Sequence, residues 1–490
     1  MKLLILMQKP KLTFNHHSSL LKPKNKILKN IFSLTIAEFA GKGLQAFVIF
    51  YIAKLLGDVE YGVYDFARQH VAIYILAVTL GMDVLGTREI AENKSCVKKV
   101  VNNIMSIRLI FATIAYLLLV VITFSFGDLP PRARTMLLVA GVNIFSMAFM
   151  LHWVYQGLER MGVFAIRGLI AAILNIIGIL VFVHSPADSL FAMIVVQSSL
   201  LINAIWLYLY YSKEFGRIKF SFDKIEWTRI LKISFTIGLS FFVVKLYNAL
   251  DVNMLFYYLG PGNHQSGHLS LAHQYIILGI LPAQILQMAF FPQLARNKTK
   301  EDRTNIINSF FPIMIVFGLF AGGFIATFPE ELTKFYSAEF PNLPPLLMIM
   351  SATIMFTYFS ILFYTPLMAW GKEKLCLFGN IGGLAANAIL NVILIPKYGM
   401  YGAAIATISS EIAVMIILAI YFYKTTGSLF IKDIWKWLLV VLCSIIPAFA
   451  IKTYLEMPML SIVTSIILFI VMTFLFKVLS FKELKKLLAR

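Results

Sequence analysis

The chain has 490 residues, of which 59% are hydrophobic and only 14% are charged. Soluble domains contain about 45–50% apolar and about 25% charged residues, so this composition excludes an ordinary soluble protein and predicts an all-α integral membrane protein. The formal net charge of +19 would suggest nucleic-acid binding in a soluble protein, but here the position of the charges along the chain matters more. No nucleic-acid partner is predicted.

The chain begins with a polar and basic segment, which we interpret as a cytoplasmic extension. About fourteen apolar stretches follow, each of about 20 residues, the length that crosses a bilayer as an α-helix. The predicted spans are residues 31–56, 69–87, 104–126, 135–156, 163–183, 189–211, 233–259, 270–293, 306–328, 346–369, 376–395, 402–423, 433–451 and 459–479.

An internal repeat groups these spans. The stretch after the first helix, LLGDVEYGVYDFA, aligns with YLGPGNHQSGHLSLA after the seventh helix, with Gly57, Gly62 and Ala67 matching Gly260, Gly267 and Ala272. A second pair, QGLERMGVFAIRGLIAAILN and WGKEKLCLFGNIGGLAANAILN, follows the fourth and the tenth helix. The repeat predicts two six-helix bundles in parallel orientation. The predicted domains are residues 1–30 (basic extension), 31–211 (first bundle), 212–232 (charged cytoplasmic linker), 233–423 (second bundle) and 424–490 (two further helices and a basic tail).

Charge in the loops predicts the orientation. If the N-terminus is cytoplasmic, the cytoplasmic segments hold 32 Lys and Arg residues and the outer loops hold six. Cytoplasmic loops carry an excess of Lys and Arg, so we expect a multi-pass protein of the cytoplasmic membrane with both termini inside. The six outer residues are Arg68, Arg132, Arg134, Lys334, Lys397 and Lys452.

Ionisable residues within the spans are candidates for function, because each is costly in lipid and usually faces a cavity or a partner. Glu38 and Lys42 share one face of the first helix with Gln45 a turn further along. Lys245, Asn248 and Asp251 repeat this pattern on the seventh helix. A lysine and a carboxylate on two equivalent helices are what a site between the bundles would need, although Glu38 and Lys42 could also pair only with each other.

Four further charges lie in predicted spans: Asp83, Arg108, Arg167 and Glu411. The two arginines are near cytoplasmic helix ends and could instead extend to the membrane surface. The two acids could be satisfied by Asn, Ser or Thr on adjacent helices.

Catalytic, cofactor and metal sites are not predicted. Cys96, Cys376 and Cys443 are far apart and form no CxxC pair, and His264 and His268 have no nearby carboxylate or cysteine in the sequence. The loops also offer little room for a catalytic centre, so we expect a transporter and not an enzyme.

The signature LLGDVEYGVYDFA, its counterpart after the seventh helix, FFPQLAR at 290–296 and WGKEK at 370–374 together resemble one family. It is the polysaccharide-transporter (Wzx-type) flippase family of the multidrug/oligosaccharidyl-lipid/polysaccharide exporter superfamily, and the resemblance covers residues 30 to 480.

The resemblance implies alternating access, in which two bundles rock about a cavity that holds the head of a polyprenyl-(di)phosphate-linked oligosaccharide. Lys42, Lys245 and Arg108 would then bind phosphate, with Gln45 and Asn248 binding sugar. The acids would hold these cations in place or bind a coupling H⁺ or Na⁺; they are Glu38, Asp83, Asp251 and Glu411. Membrane lipids and glycan polymerase or ligase machinery are further expected partners.

Three alternatives stay open at this point. A flippase for a lipid-linked peptidoglycan precursor would have the same spans and a cationic cavity. A cation-coupled multidrug antiporter of the same superfamily would have an acidic, aromatic pocket, which the lysines disfavour. A membrane-embedded glycan ligase or polymerase would need a catalytic loop.

Overall fold

The computed structural model describes residues 23–125, 129–158, 160–260, 262–296, 299–431, 433–476 and 478, with side chains from Gly43 onward apart from scattered positions. The described residues form α-helices and short 3-10 turns without any strand, as predicted. The helices are α1 Pro23–Thr79, α2 Met82–Glu92, α3 Val97–Ser125, α4 Pro131–Ala148, α5 His152–Gly157, α6 Met161–Phe182, α7 Ser189–Phe215, α8 Lys224–Leu259, α9 His264–Arg296, α10 Lys300–Thr327, α11 Pro329–Thr333, α12 Leu343–Ala369, α13 Glu373–Thr426, α14 Ile434–Tyr454 and α15 Pro458–Leu475.

Two of these helices change direction at a glycine. The backbone of Gly57 in α1 has φ 70°, and that of Gly399 in α13 has φ 56°, values that a residue with a Cβ rarely adopts. The α13 helix encloses two predicted spans, whereas α1 encloses the first span and contains the second only as far as Thr79. Ten described helical stretches are long and apolar enough to cross a membrane, so the chain is a multi-pass membrane protein, while the count of fourteen spans stays a prediction.

Contacts divide most helices into two groups. In the N-terminal group, α1 packs against α3, α4, α6 and α7. In the C-terminal group, α12 packs against α9, α10 and α13, and α13 packs against α8. α14 and α15 pack on each other, and α14 packs on α10. The groups meet mainly where α1 contacts α8 and α9, so residues on these three helices can form a site between them. The predicted domain boundaries stay a prediction.

The second leg of α1 corrects one sequence assignment. The span predicted at 69–87 begins earlier, because the helix resumes directly after Gly57 and continues to Thr79. Arg68, counted above as an outer-loop residue, therefore lies within a helix. It is eleven residues past the turn, which at about 1.5 Å per residue is about half of the roughly 30 Å hydrocarbon thickness.

At the end of the molecule that the loop charges predict to face outward, the two groups are in direct contact. Lys54 of α1 forms an ion pair with Glu339 at 2.7 Å, and Asp58 accepts a hydrogen bond from His264 of α9 at 2.9 Å. Gly62 and Gly267 allow the close approach, since a Cβ on Gly267 would lie only 1.8 Å from the Asp58 carbonyl oxygen. The sequence shows no carboxylate near His264, but in the structure the carboxylate of Asp58 on α1 lies beside it.

At the opposite end, which is predicted to be cytoplasmic, the linker between the groups is held against α3. The backbone N–H groups of Lys219 and Ser221 donate to the side chains of Asn102 and Ser106. Arg229 of α8 forms ion pairs with Glu89 of α2 and with Glu226, and its hydrogen bond holds the pKa of Glu226 below the usual value. The start of α8 is therefore attached to the N-terminal group.

Candidate functional site

Asp251 is the centre of a buried polar cluster in the C-terminal group. Its side chain is 3% exposed, and its Oδ1 accepts hydrogen bonds from the amides of Asn387 at 2.8 Å and Asn391 at 2.6 Å. The hydroxyl of Thr407 donates to Oδ2 at 2.5 Å. Three donors surround this buried carboxylate, and no Lys or Arg among the described side chains forms an ion pair with it.

The turn at Gly399 builds this cluster. Asn387 and Asn391 are four residues apart on the first leg of α13 and lie on one face, whereas Thr407 lies on the second leg. In a straight helix Asn391 and Thr407 would be about 24 Å apart, so they can share Asp251 only because the chain reverses between them.

The cluster opens on a cavity of about 430 Å³ inside the membrane-spanning region. Asp251, Thr407 and Glu411 line it, together with Gln69 from the N-terminal group. Its other polar lining residues are His273, Gln284, Gln287, Thr353, Thr357, Ser360, Tyr364 and Asn380. Amide and hydroxyl groups predominate, so the cavity can solvate an ion or a polar group.

An ion pair between Asp65 and Arg68 lies next to Gln69 on α1. The Asp65 side chain is 1% exposed and binds the Arg68 guanidinium through Nε at 2.9 Å and Nη2 at 2.5 Å. About a third of the Arg68 side chain, 32%, is accessible although Tyr61, Tyr64 and Asp65 surround it. Arg68 itself is not among the residues that line the described cavity, but Gln69 next to it is.

Aromatic and polar contacts hold α1 against α8 at this level. The rings of Phe66 and Phe256 stack with centroids 3.7 Å apart, and His70 Nδ1 lies 3.1 Å from Asn253 Oδ1. The Asp65–Arg68 pair is thus at the contact between the two groups of helices.

Two of the predicted acids, Asp251 and Glu411, are brought together at the cavity. Asp83 and Arg108 instead pair with each other at 2.7 Å near Trp153. Arg108 is fully buried, does not extend to the membrane surface and is not among the residues that line the described cavity.

The structure does not test the binding roles predicted for most of the site residues. Gln45 is exposed on α1 and also does not line the cavity. The side chains of Glu38, Lys42, Arg167, Lys245 and Asn248 lie outside those that the structure describes. Their roles, and that of Arg108 in substrate binding, stay predictions.

Sequence reasoning missed six residues of the site: Asp65, Arg68, His273, Asn387, Asn391 and Thr407. The four-residue spacing of Asn387 and Asn391 within an apolar helix was a usable signal for a polar face. The pairing of Thr407 with Asp251 left no local signal, because it depends on the reversal at Gly399.

Several proteins of similar sequence or fold are described as membrane transporters or polysaccharide biosynthesis proteins. The family model described as "Polysaccharide biosynthesis protein" matches residues 27–298. The chain is 24% identical to a putative O-antigen transporter of Shigella dysenteriae over 79% of this chain and 98% of that protein. It is 22% identical to the capsular polysaccharide biosynthesis protein CapF of Staphylococcus aureus over 81% and 99%.

The fold is similar to two kinds of solved transporter. The lipid II flippase MurJ in an inward closed conformation matches with a TM-score of 0.71 and 16% identity, over 91% of this chain and 98% of that one. An inward-facing MATE-family multidrug resistance transporter of the MOP superfamily matches with a TM-score of 0.60 and 15% identity, over 79% and 99%. At these identities the similarity establishes the fold alone.

Proposed function

Because the chain belongs to the polysaccharide biosynthesis protein family, whose model matches more than half of it, we propose that it is a flippase for a polyprenyl-(di)phosphate-linked oligosaccharide. It carries the substrate across the cytoplasmic membrane by alternating access, for assembly of a surface polysaccharide. It acts as a transporter without catalysis, and both termini lie in the cytoplasm.

The position of Arg68 is the observation that supports this proposal most directly. A guanidinium at mid-membrane is costly, and here about a third of the Arg68 side chain stays accessible close to the contact between the two groups of helices. Its planar fork of N–H donors binds phosphate oxygens in pairs. Asp65 holds the fork in place and can be displaced from it by the diphosphate of the substrate.

Transport by purified protein in proteoliposomes tests the role of Arg68. The Arg68→Ala variant should lose transport of a fluorescent polyprenyl-diphosphate oligosaccharide by at least about tenfold, the factor expected for loss of about 1.4 kcal/mol of binding. Arg68→Lys should recover part of it, because an ammonium keeps the charge but loses the fork. Transport by Arg68→Ala at the wild-type rate would contradict the proposal.

A matched control is Arg88→Ala, since Arg88 is exposed and pairs only with Glu92 four residues along α2 in the structure. This variant should transport normally. The assay can also be run with Lys42→Ala and Lys245→Ala, and with a lipid-linked peptidoglycan precursor, the substrate of the alternative flippase.

The Asp251 cluster supports a second part of the proposal, a site for a coupling cation. Asn391 Oδ1 is buried and has no hydrogen-bond partner, so the cluster has an oxygen ligand to spare. The amides of Asn387 and Asn391 can turn their oxygens toward an ion beside the carboxylate. One carboxylate with neutral oxygens suits a hard monovalent cation such as Na⁺, or a proton on Asp251 itself.

A transition-metal site is not supported within the described part of the chain. There, no group of three or more His, Cys, Asp or Glu side chains is arranged to hold such an ion.

A further inference from the structure

His273 of α9 lies between two buried carboxylates from different groups of helices. Its Nε2 is 3.7 Å from Asp251 Oδ2, an ion-pair distance that is too long for a hydrogen bond. The charge of Asp65 on α1 also acts on the His273 ring. His273 also lines the same cavity as Gln69, which lies one turn after Asp65 on α1, so the imidazole lies between the Asp251 cluster and the part of α1 that carries the Asp65–Arg68 pair.

Asp65 has one oxygen without a donor. Its Oδ1 accepts both hydrogen bonds from Arg68, while its Oδ2 is buried with no hydrogen-bond partner. Buried carboxylate oxygens are normally hydrogen-bonded, so this oxygen is an acceptor that a neighbouring donor can satisfy. His273 forms no hydrogen bond or ion pair with Asp65 among the described contacts, so its ring N–H, which belongs to the other group of helices, becomes such a donor only when the ring moves.

We propose that His273 is a positioning residue that couples occupancy of the Asp251 site to the freedom of Arg68. Without a cation, the negative charge of Asp251 attracts the imidazole N–H. A cation at Asp251 neutralises that charge, and the N–H then turns to Asp65 Oδ2. The ring stays neutral throughout and neither gains nor loses a proton.

The hydrogen bond to Asp65 withdraws negative charge from the oxygen that holds Arg68. The guanidinium is then held less tightly by Asp65 and is available to a phosphate. Cation binding in the C-terminal group thereby raises the affinity for a diphosphate at the contact between the groups.

Such coupling is reciprocal: the diphosphate must raise the affinity for the cation by the same factor. This inference rests on the proposed function, because it requires both a cation at Asp251 and a phosphate at Arg68.

The test measures both affinities on the full chain in lipid nanodiscs. The probes are Na⁺, compared with N-methyl-D-glucamine at constant ionic strength, and geranylgeranyl diphosphate as a minimal lipid diphosphate. In the wild type, saturating Na⁺ should tighten the Kd of the diphosphate by a factor of about five or more, and the reverse titration should give the same factor.

His273→Leu removes the N–H donor at similar volume. The Kd of each ligand alone is measured for this variant first, and the coupling factor, the ratio of the Kd values without and with the other ligand, should fall to about one. His273→Asn, which keeps an N–H donor, should recover part of the coupling. A purely structural role for His273 would change the separate affinities and would not be rescued in this way.

His264→Leu is the matched control, since this histidine of the same helix is 71% exposed at the outer end and should leave coupling intact. Coupling that persists in His273→Leu, or that is equally absent from the Leu and Asn variants, overturns the inference. A wild type that binds both probes without coupling also overturns it and leaves the proposed function standing. A wild type that does not bind the diphosphate contradicts the proposed function itself.

Discussion

Asp251 illustrates how a carboxylate can be kept within a membrane. Asn387, Asn391 and Thr407 surround it with neutral donors, so its charge is dispersed over three hydrogen bonds. Removing the charge while keeping the shape should therefore affect ion binding more than packing.

The Asp251→Asn variant should lose the stabilisation that Na⁺ gives to the wild type. A ligand at 100 times its Kd stabilises a folded protein by about 2.7 kcal/mol, which appears as a rise in Tm. Differential scanning fluorimetry in NaCl and in choline chloride measures this rise. Asp83→Asn, at the ion pair with Arg108, is the control and should keep the Na⁺ effect. A rise of equal size in Asp251→Asn would show that the ion binds elsewhere.

At this scale the sequence predicts residues better than it predicts contacts. Asp251 and Glu411 could be recognised because a charge within an apolar stretch is conspicuous. Arg68 could not, since it follows Glu60 and Asp65 and this charged stretch resembled an outer loop. In the structure Arg68 lies within α1, where Asp65 three residues earlier pairs with it.

Among the elements, the outer segment from Pro329 to Asn342, including α11, contacts three parts of the molecule. Glu339 pairs with Lys54, and the Tyr336 hydroxyl donates to the carbonyl of Phe50, both on α1. The backbone N–H of Asn342 donates to His268 of α9. Lys452 at the end of α14 pairs with both Glu330 and Glu331. This segment therefore joins α14 to the C-terminal group and closes that group against α1.

Two ion pairs of similar length at the outer end allow a matched cross-linking experiment. Lys54–Glu339 at 2.7 Å joins the two groups of helices, whereas Lys452–Glu331 at 3.0 Å lies outside the contact between them. In a chain with Cys96, Cys376 and Cys443 replaced by Ser, each pair is changed to two cysteines and joined by a short bifunctional maleimide.

The cross-link at 54 and 339 should abolish transport in proteoliposomes, because alternating access has to separate the groups on this side. The cross-link at 452 and 331 should leave transport nearly unchanged. Equal transport by the two cross-linked proteins would mean that the outer contacts in this structure do not open.

The element pattern explains what was predicted of the fold. Apolar stretches of spanning length made the all-α membrane fold predictable. The reversals at Gly57 and Gly399 were harder to place, because a single glycine leaves almost no polar loop to separate two spans. For this reason the predicted start of the second span, at residue 69, was wrong.

For the whole molecule, the distribution of charge predicts the orientation. With Arg68 removed from the six residues assigned to outer loops, five remain on that side, which sharpens the asymmetry. The contact between the two groups, however, depends on long-range packing of α1 with α8 and α9 that no local pattern encodes.

Cysteine labelling in intact cells tests the orientation. Ala187 and Ser95 are both exposed and lie at opposite ends of the N-terminal group. In the cysteine-free background, Ala187→Cys should react with a membrane-impermeant maleimide, and Ser95→Cys should react only after the cells are permeabilised. The reverse pattern would place both termini outside.

The tight turn at Gly399 also affects how much protein surface a binding molecule can reach from the side that is predicted to face outward. Where two helices join at one residue, little backbone projects beyond the membrane as a binding surface for an antibody or a phage. The Pro329–Asn342 segment is different, since it has helical turns of its own and the exposed ring of Phe335. Within the described part of the chain, this segment is the surface that an antibody on the predicted outer side would contact. Because that same segment closes the two groups of helices against each other, a molecule that grips it would also be placed to block transport.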